Sequence, residues 1–264
     1  MHDCVPIKLI QVNIKPSLTI CTFFTNIRYK CYKSYYICIP MYEMKIIDLT
    51  HIIAEDMPMY PGTNAPILHK AFNHKEHGFM ETLISLYSHT GTHIDAPAHV
   101  HANGFTLDKY PIEQFVGKAL IVNCQELKKG EKIPLSLIEE KGNMLNEADY
   151  ILFFTGHSKL WGSNGYFRDF PILSCEAVEW VNQRKLKGIG IDAPSYDPVR
   201  VDEPETASDG LYNHRTILKT NHTILLENLC RLEEIGDELF TLCVLPLNII
   251  NADGAPARII AILP

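Results

Sequence analysis

The sequence predicts a single α/β domain with a mixed β-sheet, and three features point there: short apolar runs of the buried-strand type, a helical pattern set between two of them, and paired apolar runs near the C-terminus. Lys45 to Ile53 reads as a strand, ended by Glu55-Asp-Met-Pro58. Met80 to Tyr87 alternates well enough for another, which is expected to deliver the stretch His89 to His99 at its end. Lys118 to Cys124 and Asp149 to Phe154 are short apolar runs suited to the middle of a sheet. Ser174 can cap a helix through Lys187, with Ala177, Val178 and Val181 on one face and Glu176, Glu179 and Arg184 largely on the other; Gly188 stops it. Ile189-Gly-Ile191 follows as a strand, so Asp149 to Asp192 is expected to form a βαβ unit with a parallel pair. Thr241 to Ile249 and Arg258 to Leu263 supply late strands around an Ala252-Asp-Gly-Ala-Pro256 turn.

Composition narrows the class of function. With 264 residues, 46% of them apolar and 21% charged, the chain can bury one sizeable core, and nothing inside it looks like a second boundary. A net charge of −7 argues against general nucleic-acid binding, which rests on Lys and Arg neutralising phosphates, so small molecules are the expected ligands. No apolar run approaches the roughly twenty residues that span a bilayer, and no membrane association is expected. Residues 1–43 differ in character, with five Lys/Arg against Asp3 and Glu43 and with Cys4, Cys21, Cys31 and Cys38. They read as an N-terminal extension ahead of a domain over 44–264, not native if Met44 is the natural start, with a genuine arm that covers a neighbouring subunit as the rival reading. Cys124, Cys175, Cys230 and Cys243 are scattered without metal-ligand spacing and read mostly as small buried hydrophobes in a reducing cytoplasm.

The richest chemistry lies in Ser88-His-Thr-Gly-Thr-His-Ile-Asp-Ala-Pro-Ala-His99, where His89, His93, Asp95 and His99 crowd together. Imidazole and carboxylate suit zinc, manganese or iron. Histidines four apart would share a helix face, but Thr90, Gly91 and Thr92 are poor helix formers and Pro97 follows. A strand running into a tight loop fits better: His93 and Asp95 then share a face, and Gly91 lets the backbone bend so that His89 joins them.

This stretch resembles the signature His-x-Gly-Thr-His-x-Asp-x-Pro-x-His of the metal-dependent cyclase-like hydrolases, a family that includes bacterial kynurenine formamidase and isatin hydrolase. Met57-Pro-Met-Tyr-Pro-Gly62 resembles that family's early Pro-Gly turn, and Thr155-Gly-His-Ser-Lys-Leu-Trp-Gly162 its central glycine-rich loop. Gly190-Ile-Asp-Ala-Pro-Ser195 and Ile224-Leu-Leu-Glu-Asn-Leu229 are similar to two later stretches, so the likeness runs from about Met44 to Pro264. The resemblance implies a swivelling β/β/α architecture, a homodimer or homotetramer, and one or two divalent ions, Zn2+ or Mn2+. It also implies that Asp95 bridges to a second ion whose other ligands are His214, with His222 as its rival, and Glu227. His99 is then the general acid/base, Tyr60 stands where relatives place a substrate-binding tryptophan, and His101 and His157 are candidates to line the pocket. Asp192 and Ser195 are expected to shape a nearby loop. The reaction implied is hydrolysis of an amide-type bond, as in an arylformamidase acting on an N-formylkynurenine-type substrate, by metal-activated water. A cyclase, a lactone or cyclic-amide hydrolase, and a non-catalytic metal-binding protein remain as alternatives.

Overall fold

The computed structural model of the protein describes residues 10–11, 36–37, 44–199, 210–220 and 222–263. The chain divides into two units, Met1–Met44 and Lys45–Pro264. In the first, β1 (Ile10–Gln11) pairs antiparallel with β2 (Tyr36–Ile37), while Cys4, Cys21, Cys31 and Cys38, with most of the expected extension, lie outside the described residues. The second unit carries β3 (Lys45–Asp48), β4 (Ile67–Phe72), β5 (Glu81–Ser85), β6 (His93–Asp95), β7 (Val116–Asn123), β8 (Lys132–Ile133), β9 (Tyr150–Phe154), β10 (Ile172–Leu173), β11 (Gly188–Ile191), β12 (Ile224–Glu227), β13 (Phe240–Pro246) and β14 (Gly254–Leu263). Its α-helices are α1 (His74–His77), α2 (Leu135–Glu139), α3 (Cys175–Asn182) and α4 (Tyr212–Ile217). No helix among the described residues is long and apolar enough to cross a membrane.

The main sheet is mixed and closes on itself. Its order is β13-β7-β9-β11-β12-β6-β14, with β14 pairing back onto β13 and β3 added beside β14. The run β7-β9-β11-β12 is parallel; every pairing through β6, β14, β13 and β3 is antiparallel. Side-chain alternation then sorts the core into two layers. Ala119, Ile121, Tyr150, Leu152, Ile224 and Leu226 join Ile94, Ala255 and Ile259 inside the barrel. Leu120, Val122, Ile151, Phe153 and Leu225 face outward to meet Ala177, Val178 and Val181 of α3 and Ile217 of α4. Strands covered on both faces have to be apolar throughout, which is why β9 reads as a continuous run.

The expected βαβ unit is present: β9 and β11 are parallel neighbours with α3 between them in sequence, and Ser174 caps α3 by accepting from Ala177 N at 3.2 Å. The helix ends at Asn182 rather than Lys187, and Leu186 leaves it to bury in the outer core. Three further boundaries differ. The first strand stops at Asp48, because Thr50 Oγ1 exchanges bonds with Ile259 O and N and the chain then turns outward. The Met80–Tyr87 strand survives as β5, but it pairs with β4 in a separate hairpin and is exposed on both faces. It does not lead the metal motif into place; after a turn, the motif builds its own strand, β6. The last strand begins at Gly254 instead of Arg258, since Gly254, Ala255 and Pro256 pair with Asp95, Ile94 and His93, and the turn contracts accordingly. Cys124 and Cys230 are buried as expected, whereas Cys175 is exposed.

Candidate metal centre

β6 turns Ile94 into the barrel, so His93 and Asp95 point out of it. Its neighbours supply the rest by register. Glu227 of β12 lies directly opposite His93, and Gly254 of β14 opposite Asp95. A glycine is required there: a Cβ on residue 254 would come within 2.5 Å of His89 Cε1. Gly91, at φ +66°, makes the bend that folds His89 back over the strand. Thr92 pins this bend, donating to Asn228 O at 2.6 Å and accepting from His51 N at 2.9 Å.

The hydrogen bonds aim the ligand atoms. His93 Nδ1 donates to Gly91 O at 2.8 Å, which leaves Nε2 facing Asp95 Oδ1 at 3.1 Å and Glu227 Oε2 at 3.4 Å. His89 Nδ1 lies 2.6 Å from Asp95 Oδ1, and its Nε2 lies 2.9 Å from Asp253 Oδ2. His214, on α4, has Nδ1 2.7 Å from Asp197 Oδ2 and Nε2 3.1 Å from Glu227 Oε1. Asp197 also accepts from the backbone amides of Asn213 at 2.9 Å and His214 at 3.0 Å, serving the first turn of a helix that has no side-chain cap of its own. His93, Asp95, His214 and Glu227 are all buried.

Two ligand sets share one carboxylate. His89, His93 and Asp95 can converge on one point, and Asp95, His214 and Glu227 on another; a third, less buried group, His89, His99 and Asp253, shares His89 with the first. Asp95 Oδ2 is buried without a hydrogen bond, with His214 Nε2 3.4 Å away, an arrangement that is costly unless a cation meets it. The charges agree with this. Burial alone would push the His93 imidazole down, but Asp95 and Glu227 outweigh it and drive it up to about 10. His214 is likewise raised against the pull of burial, by Asp197, Asp95 and Glu227. Burial opposes the Asp95 carboxylate too, yet His89 and His93 hold it well below the usual range. A pocket that protonates buried imidazoles demands positive charge, and a divalent ion provides it while releasing those protons. The donor set therefore fits a divalent metal ion.

His99 follows Pro97 in a short 3-10 turn, its ring 4.0 Å from that of His89 and 6.0 Å from that of His214. Its Nδ1 is 3.5 Å from Asp253 Oδ2, and burial, with neighbouring imidazoles, keeps its own imidazole below the usual value despite Asp95. Tyr60 is 39% exposed, set edge-on to Phe167 at 6.1 Å, and its phenol is raised by burial and then by the charge of Glu227. Trp161 stacks on His51 at 3.9 Å, and Tyr166 donates to Asn228 Oδ1 at 2.6 Å while Asn228 Nδ2 donates to Gly91 O. The glycine-rich loop is thereby tied to the metal motif. Asp192 organises that loop, accepting from Thr155 N, Thr155 Oγ1 and Gly156 N, and Ser195 Oγ accepts from Asp197 N.

The cluster thus gathers His89, His93, Asp95, His99, His214 and Glu227 in one place. His222 is exposed and outside it. His101 bonds to Arg215 O, and His157 donates to Tyr166 O between the rings of Tyr166 and Phe170, so both brace the frame. Asp197 and Asp253 went unrecognised in the sequence. Asp197 lies two residues past Ser195, just beyond the stretch that resembles the family, and Asp253 has the local surroundings of an ordinary turn residue.

Known proteins share this arrangement of chain. A family model described as "Putative cyclase" matches residues 47–198. Kynurenine formamidase from Bacillus thuringiensis subsp. konkukian (strain 97-27) is 29% identical over 214 residues, 80% of this chain and 94% of that protein. Its counterpart from Bacillus anthracis is 29% identical over 220 residues, 83% of this chain and 97% of the relative. Among solved structures, an isatin hydrolase bound to the product analogue thioisatinate superposes with a TM-score of 0.70 at 20% identity, over 84% of this chain and 93% of that one. A structure described as a potential metal-dependent hydrolase with cyclase activity gives 0.65 at 25% identity, over 84% and 98%. With more than half its length matched by the family model, the chain belongs to the cyclase family.

Proposed function

We propose that the protein is a metal-dependent hydrolase that cleaves an amide-type bond, in the manner of an arylformamidase acting on an N-formylkynurenine-type substrate. The observation that carries this reading is the pair of buried ligand sets sharing Asp95, with His99 beside them in the less buried group it forms with His89 and Asp253. His89, His93 and Asp95 hold one Zn2+ or Mn2+ ion, and Asp95, His214 and Glu227 hold a second where two are bound. Such an ion supplies Lewis acidity and brings the pKa of water toward neutrality. His99 does the proton work: it takes a proton from the attacking water as the new C–O bond forms and returns it to the nitrogen as the C–N bond breaks. Tyr60 offers its ring face to an aryl group. Kynurenine formamidases among the relatives support this substrate class.

The remaining parts of the proposal concern setting. Residues 44–264 form the catalytic domain and residues 1–43 an extension to it, and the protein works in the cytoplasm. It assembles as a homodimer or dimer of dimers, a reading supported by the β4–β5 hairpin, where Leu83 and Ile84 are 62% and 58% exposed on opposite faces. A two-stranded hairpin is marginal by itself and gains from a partner. A hydrolysis screen of Zn2+- and Mn2+-loaded protein against N-formylkynurenine, isatin and simple lactones tests the function. Turnover of N-formylkynurenine that disappears, along with the metal, in His93→Ala supports it; turnover of isatin alone overturns the arylformamidase reading in favour of a cyclic amide, and turnover of lactones alone overturns the amide assignment.

A further inference from the structure

We infer that Asp253 is a positioning residue for the metal centre: it holds the Nε2 side of the His89 ring so that Nδ1 faces Asp95, and the same oxygen stands beside His99. The inference rests on the metal-binding reading above and goes beyond the ligand set. Asp253 Oδ2 lies 2.9 Å from His89 Nε2 and Asp95 Oδ1 lies 2.6 Å from its Nδ1, so when an ion beside Asp95 takes Nδ1, Asp253 is the acceptor that remains for Nε2–H. The same Oδ2 is 3.5 Å from His99 Nδ1. One carboxylate oxygen thus sits between the histidine that ligates and the histidine that moves protons. A partner of this kind on a ligating imidazole fixes its tautomer and orientation.

The backbone shows that this placement is built. Asp253 O accepts from Ala96 N at 2.8 Å, anchoring the residue to the end of β6, and Ala252 O accepts from Leu107 N at 2.9 Å. Asn251, at φ +56°, makes the turn that sets Asp253 at the head of β14. Gly254 then removes the one side chain that would push the His89 ring away. Residues 253 and 254 together cradle a single imidazole, one by bonding it and one by making room. Asp253 itself is 44% exposed, so the fold does not depend on burying it.

The test is the affinity for Zn2+ or Mn2+ alone, measured by chelator competition on wild type, Asp253→Ala and Asp253→Asn, with the melting of the metal-free proteins alongside. Asp253→Ala should bind about 10- to 100-fold more weakly, and Asp253→Asn, which keeps an acceptor, should recover most of the loss. In Zn2+-loaded wild type, 15N spectra should show His89 with Nε2 protonated and Nδ1 bound to the ion. The opposite assignment overturns the inference without any variant. So does an alanine variant that binds within about twofold of wild type, or an asparagine variant as weak as alanine, which would make the carboxylate a ligand in its own right. A wild type that binds no ion would instead sink the metal reading on which this stands.

Discussion

Replacing Asp197 by alanine removes a carboxylate that belongs to neither ligand set, and the structure fixes what that costs. Three donors lose their acceptor together: the Asn213 amide at 2.9 Å, the His214 amide at 3.0 Å and His214 Nδ1 at 2.7 Å. All three groups are buried, and α4 has no side-chain cap to take over. A buried donor left alone costs about 1–3 kcal/mol. With water entering the space, about 3–5 kcal/mol is a fair total, near the loss measured when one partner of a buried ion pair is removed. For a domain of this size that lowers the melting temperature by about 10 °C. Asp197→Asn keeps one oxygen for the Asn213 amide but opposes the other donors with its own NH2, so it should cost about half as much. Chemical denaturation of the metal-free proteins measures the loss, and chelator competition should show metal binding weakened about 10- to 100-fold, because His214 is no longer aimed. An alanine variant that loses under about 1 kcal/mol and binds metal as wild type does would refute the argument.

His99→Ala should keep its metal while losing on the order of a hundredfold in turnover; parallel loss of metal and activity would make it a ligand. Burial pushes the His51 imidazole down to about 4, below its unfolded value, so the stability it lends is full above pH 6.5 and drains as pH falls toward 4. Full burial would cap that loss at about 3 kcal/mol, and partial exposure reduces it to about 1–2 kcal/mol. Denaturation at pH 7 and pH 5 should show it, and His51→Phe, which keeps the stack on Trp161, should lose less between the two; identical slopes for both proteins would rule it out. Light scattering should report a dimer or tetramer for wild type and monomer for the double change Leu83→Lys, Ile84→Lys; a wild type that is monomeric at micromolar concentration defeats the assembly proposal.

Much of the fold was legible because its signals are local. Tyr150–Phe154 and the capped helix at Ser174 announce themselves by run length, periodicity and a side-chain cap, and they lie where the pattern puts them. Boundaries set by tertiary pairing were not legible. Gly254-Ala-Pro256 has the composition of a turn, yet β6 supplies a partner strand and turns it into the head of β14. The same holds at the site. His89, His93 and Asp95 stand out by spacing, since Gly91 and the period of a strand bring them together. His214 and Glu227 came from resemblance, and their meeting depends on β12 lying beside β6 and on α4 packing above it. Asp197 and Asp253 do their work across distances of 17 and 164 residues, and no local pattern encodes that.

The location of the centre follows from the topology. Along the parallel run β7-β9-β11-β12, α3 and its neighbours cover the outward positions Leu120, Val122, Ile151, Phe153, Ile189 and Leu225, which are apolar. At β12 the sheet turns antiparallel through β6 into β14, and outward positions there are occupied by His93, Asp95 and Glu227 beside the small Gly254. Such a cluster is unstable as a purely packed surface, because its carboxylates must find either protons on neighbouring imidazoles or a cation. Placing it at the seam keeps it on rigid strands, buried enough to strengthen its electrostatics, while the side chains of His99 and Asp253 at its edge are 27% and 44% exposed. A fold whose covered strands leave no room for polar groups thus concentrates its chemistry where the strand direction reverses.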